Sequence, residues 1–424
     1  MTITANDPSL RSWVEVPKGS DFSIQNLPFG IFKTNSRSAR AGVAIGDQIL
    51  DLGFLQERDY FGALDLPKNV LSQSTLNDFI GLGKQKTREV RNRISELLRA
   101  DNAELRDREN ASKFLIAQSD AEMLIPVTVR DYTDFYSSEQ HAYNVGCLFR
   151  DPKNALMPNW KHLPVGYHGR ASSIVVSGTD FHRPKGQTKA DDAEVPSFGP
   201  SRLIDFELEM GFITCGETRL GESISTEDAD DFIFGFVLFN DWSARDIQKW
   251  EYVPLGPFLA KNFASHISPW IVTMDALEPF RVPGVKQNPE VLPYLKYEGN
   301  RNFDVNLQVG IQPEGGEEQI VTNSNFKHLY WNVNQQLAHH TVNGCNIGVC
   351  DMYGSGTISG PEEGQYGSML EITWRGTKPV EMPDGTERKF IQDHDTVIMR
   401  GSAEKNGVRV GFGEVSAKLL PAKP

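Results

Sequence analysis

Cysteine is scarce in this chain: four in 424 residues are too few for a disulfide framework. Basic residues are outnumbered too. Lys and Arg total 43 against 56 Asp and Glu, and the formal charge of −13 argues against nucleic acid and anionic membrane surfaces as partners. Long apolar runs are missing: the longest, Phe232 to Phe239, is far short of the ~18 residues a membrane helix needs. No basic stretch precedes an apolar one in Met1–Leu10, so no secretory leader is expected. The final Pro-Ala-Lys-Pro matches no retention or peroxisomal address. Internal repeats and low-complexity tracts are absent as well. The remaining composition, 39% hydrophobic and 23% charged, is ordinary for a globular protein, here expected in the cytoplasm. At ~150 residues per domain the length suggests two to three domains.

Several familiar catalytic motifs are also missing. No Gly-x-Ser-x-Gly elbow and no His-Glu-x-x-His occur. Gly83-Lys84 is followed by Gln85, where a phosphate loop needs a hydroxyl. Gly354-Ser-Gly-Thr-Ile-Ser-Gly360 misses the dinucleotide fingerprint by one position. Cys345 and Cys350, shortly after His339-His340, invite a zinc reading. Adjacent histidines on a helix point about 100° apart, however, and core cysteines are the simpler assignment. Cys147 and Cys215 sit singly in apolar segments, as small buried thiols do.

The N-terminal stretch reads as a small β-rich unit followed by helix. Strands are expected at Phe29–Phe32 and Ala41–Leu52, the second folded at its Gly46-Asp47 turn. Val90, Ile94, Leu97 and Leu98 recur at helical spacing, with Arg88, Glu89, Arg91, Arg93, Glu96 and Arg99 as a solvated outer face. Polar residues near 118–126 mark a boundary, giving domains 1–124 and 125–424. The second is rich in short β-type runs such as Ser173–Val176. It has one clear helix, with Phe326, Leu329, Tyr330, Val333 and Leu337 on one face and Asn323 or Ser324 as its cap. Arg183 to Ser201 reads as a long surface loop.

Acidic residues occur where they are costly. From Ile204 to Met210 apolar and acidic residues alternate, which puts Asp205, Glu207 and Glu209 on one strand face. Three carboxylates in a row repel one another unless they meet water or a cation. A half-exposed strand accounts for them as readily as a divalent metal site. Asp241 ends the apolar run that begins at Phe232, so it is expected at the end of a buried strand, metal-bound or salt-bridged to a cation such as Arg245 or Lys261. Asp131 to His141 crowds acids, aromatics and a histidine together. His162, His168, His182, His266, His328 and His394 are read as structural.

These segments carry a family resemblance. Asp134-Phe-Tyr-Ser-Ser-Glu-Gln-His141, Leu163-Pro-Val-Gly-Tyr-His-Gly-Arg-Ala-Ser-Ser173, Glu207-Leu-Glu209, Asn240-Asp-Trp-Ser-Ala-Arg-Asp246 and Gly367-Ser-Met-Leu-Glu371 resemble the fumarylacetoacetate hydrolase family of tyrosine and phenylalanine breakdown. The likeness extends to Phe22–Gly30 and Gly42–Asp51, and so covers nearly the whole chain. It implies a mainly β fold: a small N-terminal SH3-like barrel and a large C-terminal mixed β-sandwich and roll, assembled as a homodimer. It further implies hydrolysis of a carbon–carbon bond in a diketo dicarboxylate, giving fumarate and acetoacetate. By the family pattern Ca²⁺ or Mg²⁺ falls to Asp134, Glu207, Glu209 and Asp241, with Lys261 and Ser265 as further contacts. Asp205 has no ligand role in that pattern. His141 matches the catalytic histidine and Glu371 its orienting carboxylate, while Arg245, Gln248 and Lys261 match groups that stabilise developing negative charge. Tyr136, Arg150, Tyr167, Gln248, Tyr252 and Thr357 match substrate-binding positions. One departure is Ala264-Ser265, where animal relatives usually carry Gly and Thr.

The residue types suit such chemistry. With no activated Ser or Cys, water is the expected nucleophile, and an imidazole fixed by a carboxylate can take its proton. A divalent cation would polarise the diketo oxygens. Because such a cation serves several enolate-forming reactions, a related acylpyruvate or diketo-acid hydrolase or decarboxylase is the alternative.

Overall fold

The computed structural model describes residues 3–108 and 110–424. Met1 and Thr2, which open the segment read for a leader, lie outside them. Near the N-terminus five antiparallel strands form a sheet in the order Leu115–Ala117, Gln48–Asp51, Arg37–Ile45, Phe29–Thr34, Glu122–Leu124. The expected strand Ala41–Leu52 is a hairpin turned at Gly46-Asp47, where Gly46 has φ +55°. A Cβ there would lie 2.2 Å from the Glu15 carbonyl oxygen, so the tight turn and the passing chain both require glycine.

Helix Gly83–Leu98 shares an apolar core with this sheet, with Val90, Ile94, Leu97 and Leu98 fully buried, each worth roughly 1.5–3 kcal/mol of apolar burial. Its charged face is not all solvated as expected. Arg91 is buried and donates through Nε to the Asn26 carbonyl (3.2 Å) and through Nη2 to Asn6 Oδ1 (2.9 Å) and the Gln25 carbonyl. Arg88 donates to both oxygens of Asp275, at 2.6 and 2.7 Å. Helical periodicity finds the apolar stripe but not an arginine turned inward to satisfy another segment's carbonyls.

The large sheet runs in the order Gly166–His168, Tyr132–Phe135, Met352–Gly354, Leu208–Thr214, Ile233–Asp241, Ser265–Ile267, Ile174–Val176, with Val272–Thr273 also paired to Ile233–Asp241. Two pairings are parallel, Met352–Gly354 with Tyr132–Phe135 and Ser265–Ile267 with Ile174–Val176. Both faces are covered. Phe212, Phe236 and Leu238 pack with Leu307, Val309, Met399 and Val415 of a second, five-stranded sheet, while Ile213, Val237 and Phe239 pack with Phe29, Ile31 and Phe79 of the N-terminal unit. That is why Phe232–Phe239 reads as continuous apolar sequence instead of alternating. The N-terminal unit also pairs backbone with the larger one, Phe29 opposite Ile271.

Other expectations are corrected. The helix placed from Phe326 begins at Val333 and runs to Thr341. Asn332, not Asn323 or Ser324, caps it: its Oδ1 accepts from Gln335 N at 3.0 Å, and Gln335 Oε1 accepts from Asn332 N at 3.3 Å. Phe326–His328 is a separate 3₁₀ turn, and the backbone N–H of Tyr330 donates to the Ser137 carbonyl instead of continuing a helix. The stretch from Arg183 to Ser201 holds a hairpin, Lys185–Thr188 against Ser197–Pro200. The four cysteines are free. His339 and His340 pair through Nδ1 with the hydroxyls of Tyr294 and Tyr353 at 3.0 and 2.9 Å, and among the described residues neither belongs to a group of converging metal-ligand atoms. Buried His266 is structural as read, accepting from Trp242 Nε1 (3.0 Å) and lying 2.8 Å from the Thr179 carbonyl. Among the described residues no helix is long and apolar enough to cross a membrane.

Candidate active site

Asp134, Glu207, Glu209 and Asp241 converge at one end of the large sheet, each buried, with ligand oxygens within 4.8 Å of one another. Register explains the convergence. Gly354 stands between Asp134 and Gly211, so Asp134 and Glu209 lie on strands separated by one. A Cβ at Gly354 would sit 2.8 Å from Asp134 Oδ1 and 3.0 Å from Glu209 Oε2; glycine leaves the space these carboxylates occupy. Glu207 falls in the break between strands Ile204–Asp205 and Leu208–Thr214, where it bridges to Ser368. Asp241 closes its strand opposite Ser265.

Lys261 joins two of the acids. Its Nζ lies 2.6 Å from Glu207 Oε2 and from Asp241 Oδ2 and donates to Ser243 Oγ at 2.9 Å. Burial alone would strip its proton, but Asp241 and Glu207 outweigh that and hold its pKa above the usual lysine value. An ammonium so engaged offers no lone pair to a cation and acts as a counter-charge. Ser265 Oγ donates to Asp241 Oδ1 (2.9 Å) and Tyr167 OH to Asp241 Oδ2 (3.3 Å). The Gly356 N–H donates to Glu209 Oε2 at 3.0 Å. Arg245 Nη2 meets Glu207 Oε1 at 2.8 Å, and its Nη1 donates to Gln248 Oε1 at 3.2 Å.

The donors run out before the acceptors do. Asp134 Oδ1 and Glu209 Oε1 are buried without a hydrogen-bond partner. Burial, then Asp241, pushes the Asp134 carboxyl well above its ordinary range; burial, then Asp134, does the same to Glu209. Glu207 moves the other way, because Lys261 and Arg245 outweigh its burial. An all-oxygen donor set with orphaned carboxylate oxygens fits a hard divalent cation.

His141 lies beside this cluster, in helix Glu139–Phe149, whose cap Ser138 accepts from the His141 N–H at 3.3 Å. Its Nδ1 is 2.7 Å from Glu371 Oε2. Glu371 also accepts from Asn144 Nδ2 (2.9 Å), from Ser359 Oγ (3.0 Å to each oxygen) and from Ser368 Oγ (2.9 Å). Burial works against its charge, yet His141 and these donors hold its pKa below the usual value. The Tyr136 ring meets His141 edge-on at 5.2 Å, and its phenol lies in the field of Glu371, Glu207, Arg245 and Arg150. One wall therefore joins the dyad to the acidic cluster. Thr357 is buried with an unpartnered hydroxyl.

Two of the expected substrate-binding residues are exposed, unlike the buried groups above. Arg150 is exposed and donates to the carbonyls of Ala155 (2.6 Å) and Asn154 (3.3 Å). Tyr252 is exposed, at the start of a loop with exposed Val253, Leu255 and Phe258. Conversely, Asn144, Ser359 and Ser368 take part without having been singled out as site residues. Asn144 was findable, one turn from His141 on the same helix face. Ser368 was findable too, three residues before Glu371 in a Ser-x-x-Glu pattern that opens a helix, whereas Ser359 carries no such local signal.

The chain matches known proteins along nearly its whole length. The family described as "Fumarylacetoacetase N-terminal" matches residues 25–126, and "Fumarylacetoacetate (FAA) hydrolase C-terminal" matches residues 131–418. The fumarylacetoacetase of Caenorhabditis elegans is 58% identical, over 97% of this chain and 100% of the relative. That of Homo sapiens is 53% identical over 97% and 99%. Among solved structures, a fumarylacetoacetate hydrolase from psychrophilic Exiguobacterium antarcticum shares the fold at TM-score 0.53 and 16% identity, covering 94% of this chain and 100% of that one. With both parts of the chain matched and relatives above half identity from end to end, the chain belongs to the fumarylacetoacetate hydrolase family.

Proposed function

We propose that this protein hydrolyses 4-fumarylacetoacetate to fumarate and acetoacetate, the last step of tyrosine and phenylalanine breakdown. The observation that carries this reading is a buried four-carboxylate cluster with orphaned oxygens beside a His–Glu dyad, in a chain 58% identical to a fumarylacetoacetase.

Glu371 accepts the Nδ1 proton of His141, which leaves Nε2 as the base that takes a proton from water. Hydroxide adds to the ketone carbon next to the fumaryl double bond. The bond from that carbon to the neighbouring methylene then breaks, its electron pair leaves with acetoacetate, and protonation completes that product. Arg245, Gln248 and Lys261 face the developing negative charge; each such preorganised donor is typically worth ~2.7–4 kcal/mol. Asp134, Glu207, Glu209 and Asp241, with Ser265 behind Asp241, would hold Ca²⁺ or Mg²⁺. When bound, such a cation polarises the diketo oxygens. Tyr136, Tyr167 and Thr357 would bind substrate, with Arg150 and Tyr252 reaching it from the rim.

A homodimer is supported by exposed apolar residues in one loop, Val253, Leu255 and Phe258, whose burial would stabilise a partner contact. The division at residues 124 and 125 is supported by the spans of the two family matches, and a cytoplasmic location by the scarcity of cysteine. The test is the loss of fumarylacetoacetate absorbance on adding the protein with Mg²⁺ or Ca²⁺. Saturable turnover, with acylpyruvates cleaved more slowly, is expected. No turnover of fumarylacetoacetate, or faster cleavage of an acylpyruvate, overturns this reading.

A further inference from the structure

Asp205 is fully buried, and a carboxylate in that setting persists only if donors saturate it. Its Oδ2 accepts from Arg245 Nε at 2.9 Å and from the Leu370 N–H at 3.0 Å, while Oδ1 accepts from the Met369 N–H at 2.7 Å. Met369 and Leu370 open the four-residue helix Met369–Ile372, whose third residue is Glu371. The first amides of any helix have no partner inside it, and one this short does not hold itself in place. The other arms of Arg245 reach Glu207 and Gln248. A single carboxylate thus holds the arginine on one side and the backbone that carries Glu371 on the other.

We infer that Asp205 is a positioning residue that fixes the spacing between Arg245 and the His141–Glu371 dyad. It touches neither the reacting atoms nor the cation ligand oxygens by any contact described above. The inference rests on the proposed function in one respect, that Arg245 and His141 serve the same hydrolysis. Displacement of about 1 Å between such groups can cost on the order of 10²-fold in rate.

The test uses Asp205→Asn in the full chain. Asparagine brings one oxygen and one NH₂ to a place where three donors converge, so either orientation leaves at least one N–H facing another. We expect kcat to fall about 10–100-fold and the downfield Nδ1 proton resonance of His141 to shift or vanish in substrate-free protein. A folded variant with kcat within twofold of the parent, or with that proton unmoved, overturns the inference. Should the variant not fold, amide exchange in the parent decides. The Met369 and Leu370 amides are expected to exchange at least 100-fold more slowly than those of the exposed residues 362–364, and equal rates overturn the inference. A parent protein without turnover would remove the proposed function, while the proton resonance and the exchange rates would still decide on Asp205.

Discussion

The dyad gives the sharpest expectation, for Glu371→Gln. A carboxylate only accepts, and Glu371 takes bonds on both oxygens: His141 Nδ1 and Ser368 on Oε2, Asn144 on Oε1, and Ser359 on both. Glutamine must put an NH₂ at one of those places. The donor Asn144 selects the amide oxygen for the Oε1 position, so the NH₂ faces His141. The ring must then present a lone pair at Nδ1 and carry its proton on Nε2, where it no longer serves as a base. An aspartate-to-asparagine change that inverts a triad histidine in this way lowers kcat about 10⁴-fold, which is about 5.4 kcal/mol at 1.36 kcal/mol per decade. The serine hydroxyls rotate to suit an amide, so the fold should survive at neutral pH. Saturating turnover by absorbance, with thermal unfolding as the control, measures both. The pH dependence has a definite sign. Because the folded-state pKa of Glu371 lies below its usual 4.5, the carboxylate contributes stability above that pH, and the contribution is lost as pH falls through the folded value. The stability gap between parent and variant should therefore narrow on acidification below pH 4.5. A folded variant that keeps kcat within tenfold of the parent would refute the role given to Glu371.

Three further outcomes are expected. Gly354→Ala drives a methyl against Asp134 Oδ1 and Glu209 Oε2, so divalent-cation affinity by calorimetry should drop about 10–100-fold with little loss of fold; unchanged affinity would contradict the cluster as the cation site. Burial and neighbouring carboxylates raise the pKa values of Asp134 and Glu209, so cation binding, which favours their ionised forms, should be coupled to proton release. Binding heats should then vary with the ionisation enthalpy of the buffer in the sense of proton release, and no dependence would count against the shifts. Arg91→Leu leaves the Gln25 and Asn26 carbonyls unsatisfied and should cost about 1–3 kcal/mol per buried group in urea unfolding; a loss under 0.5 kcal/mol would mean those bonds are not made.

The sequence made some of this legible and hid the rest for identifiable reasons. Alternation at Ile204–Met210 left a half-exposed strand and a metal site both open, and the acid ending the run to Asp241 left a metal and a salt bridge open; the family resemblance chose the four carboxylates. Periodicity found the helix bearing Val90 and Ile94, which packs by one stripe. It misplaced the start of the helix at Val333, because the apolar residues from Phe326 onward are buried by tertiary contacts in a non-helical path. The Asp205 carboxylate meets the Met369 amide across 164 residues, and His141 meets Glu371 across 230. No local pattern encodes such meetings; the family resemblance supplied the dyad, and only the fold supplied Asp205.

The pairing of Leu208 with Asn240 and Glu209 with Phe239 has a consequence for how the site comes into being. In a pleated sheet a slip of one residue exchanges the two faces, so a misaligned strand would offer Leu208 or Met210 where Glu209 belongs. Strand alignment and cation capture are then a single requirement. A kinetically trapped, misregistered chain would be unable to retain the ion, and uptake during refolding would report correct assembly before any substrate is added.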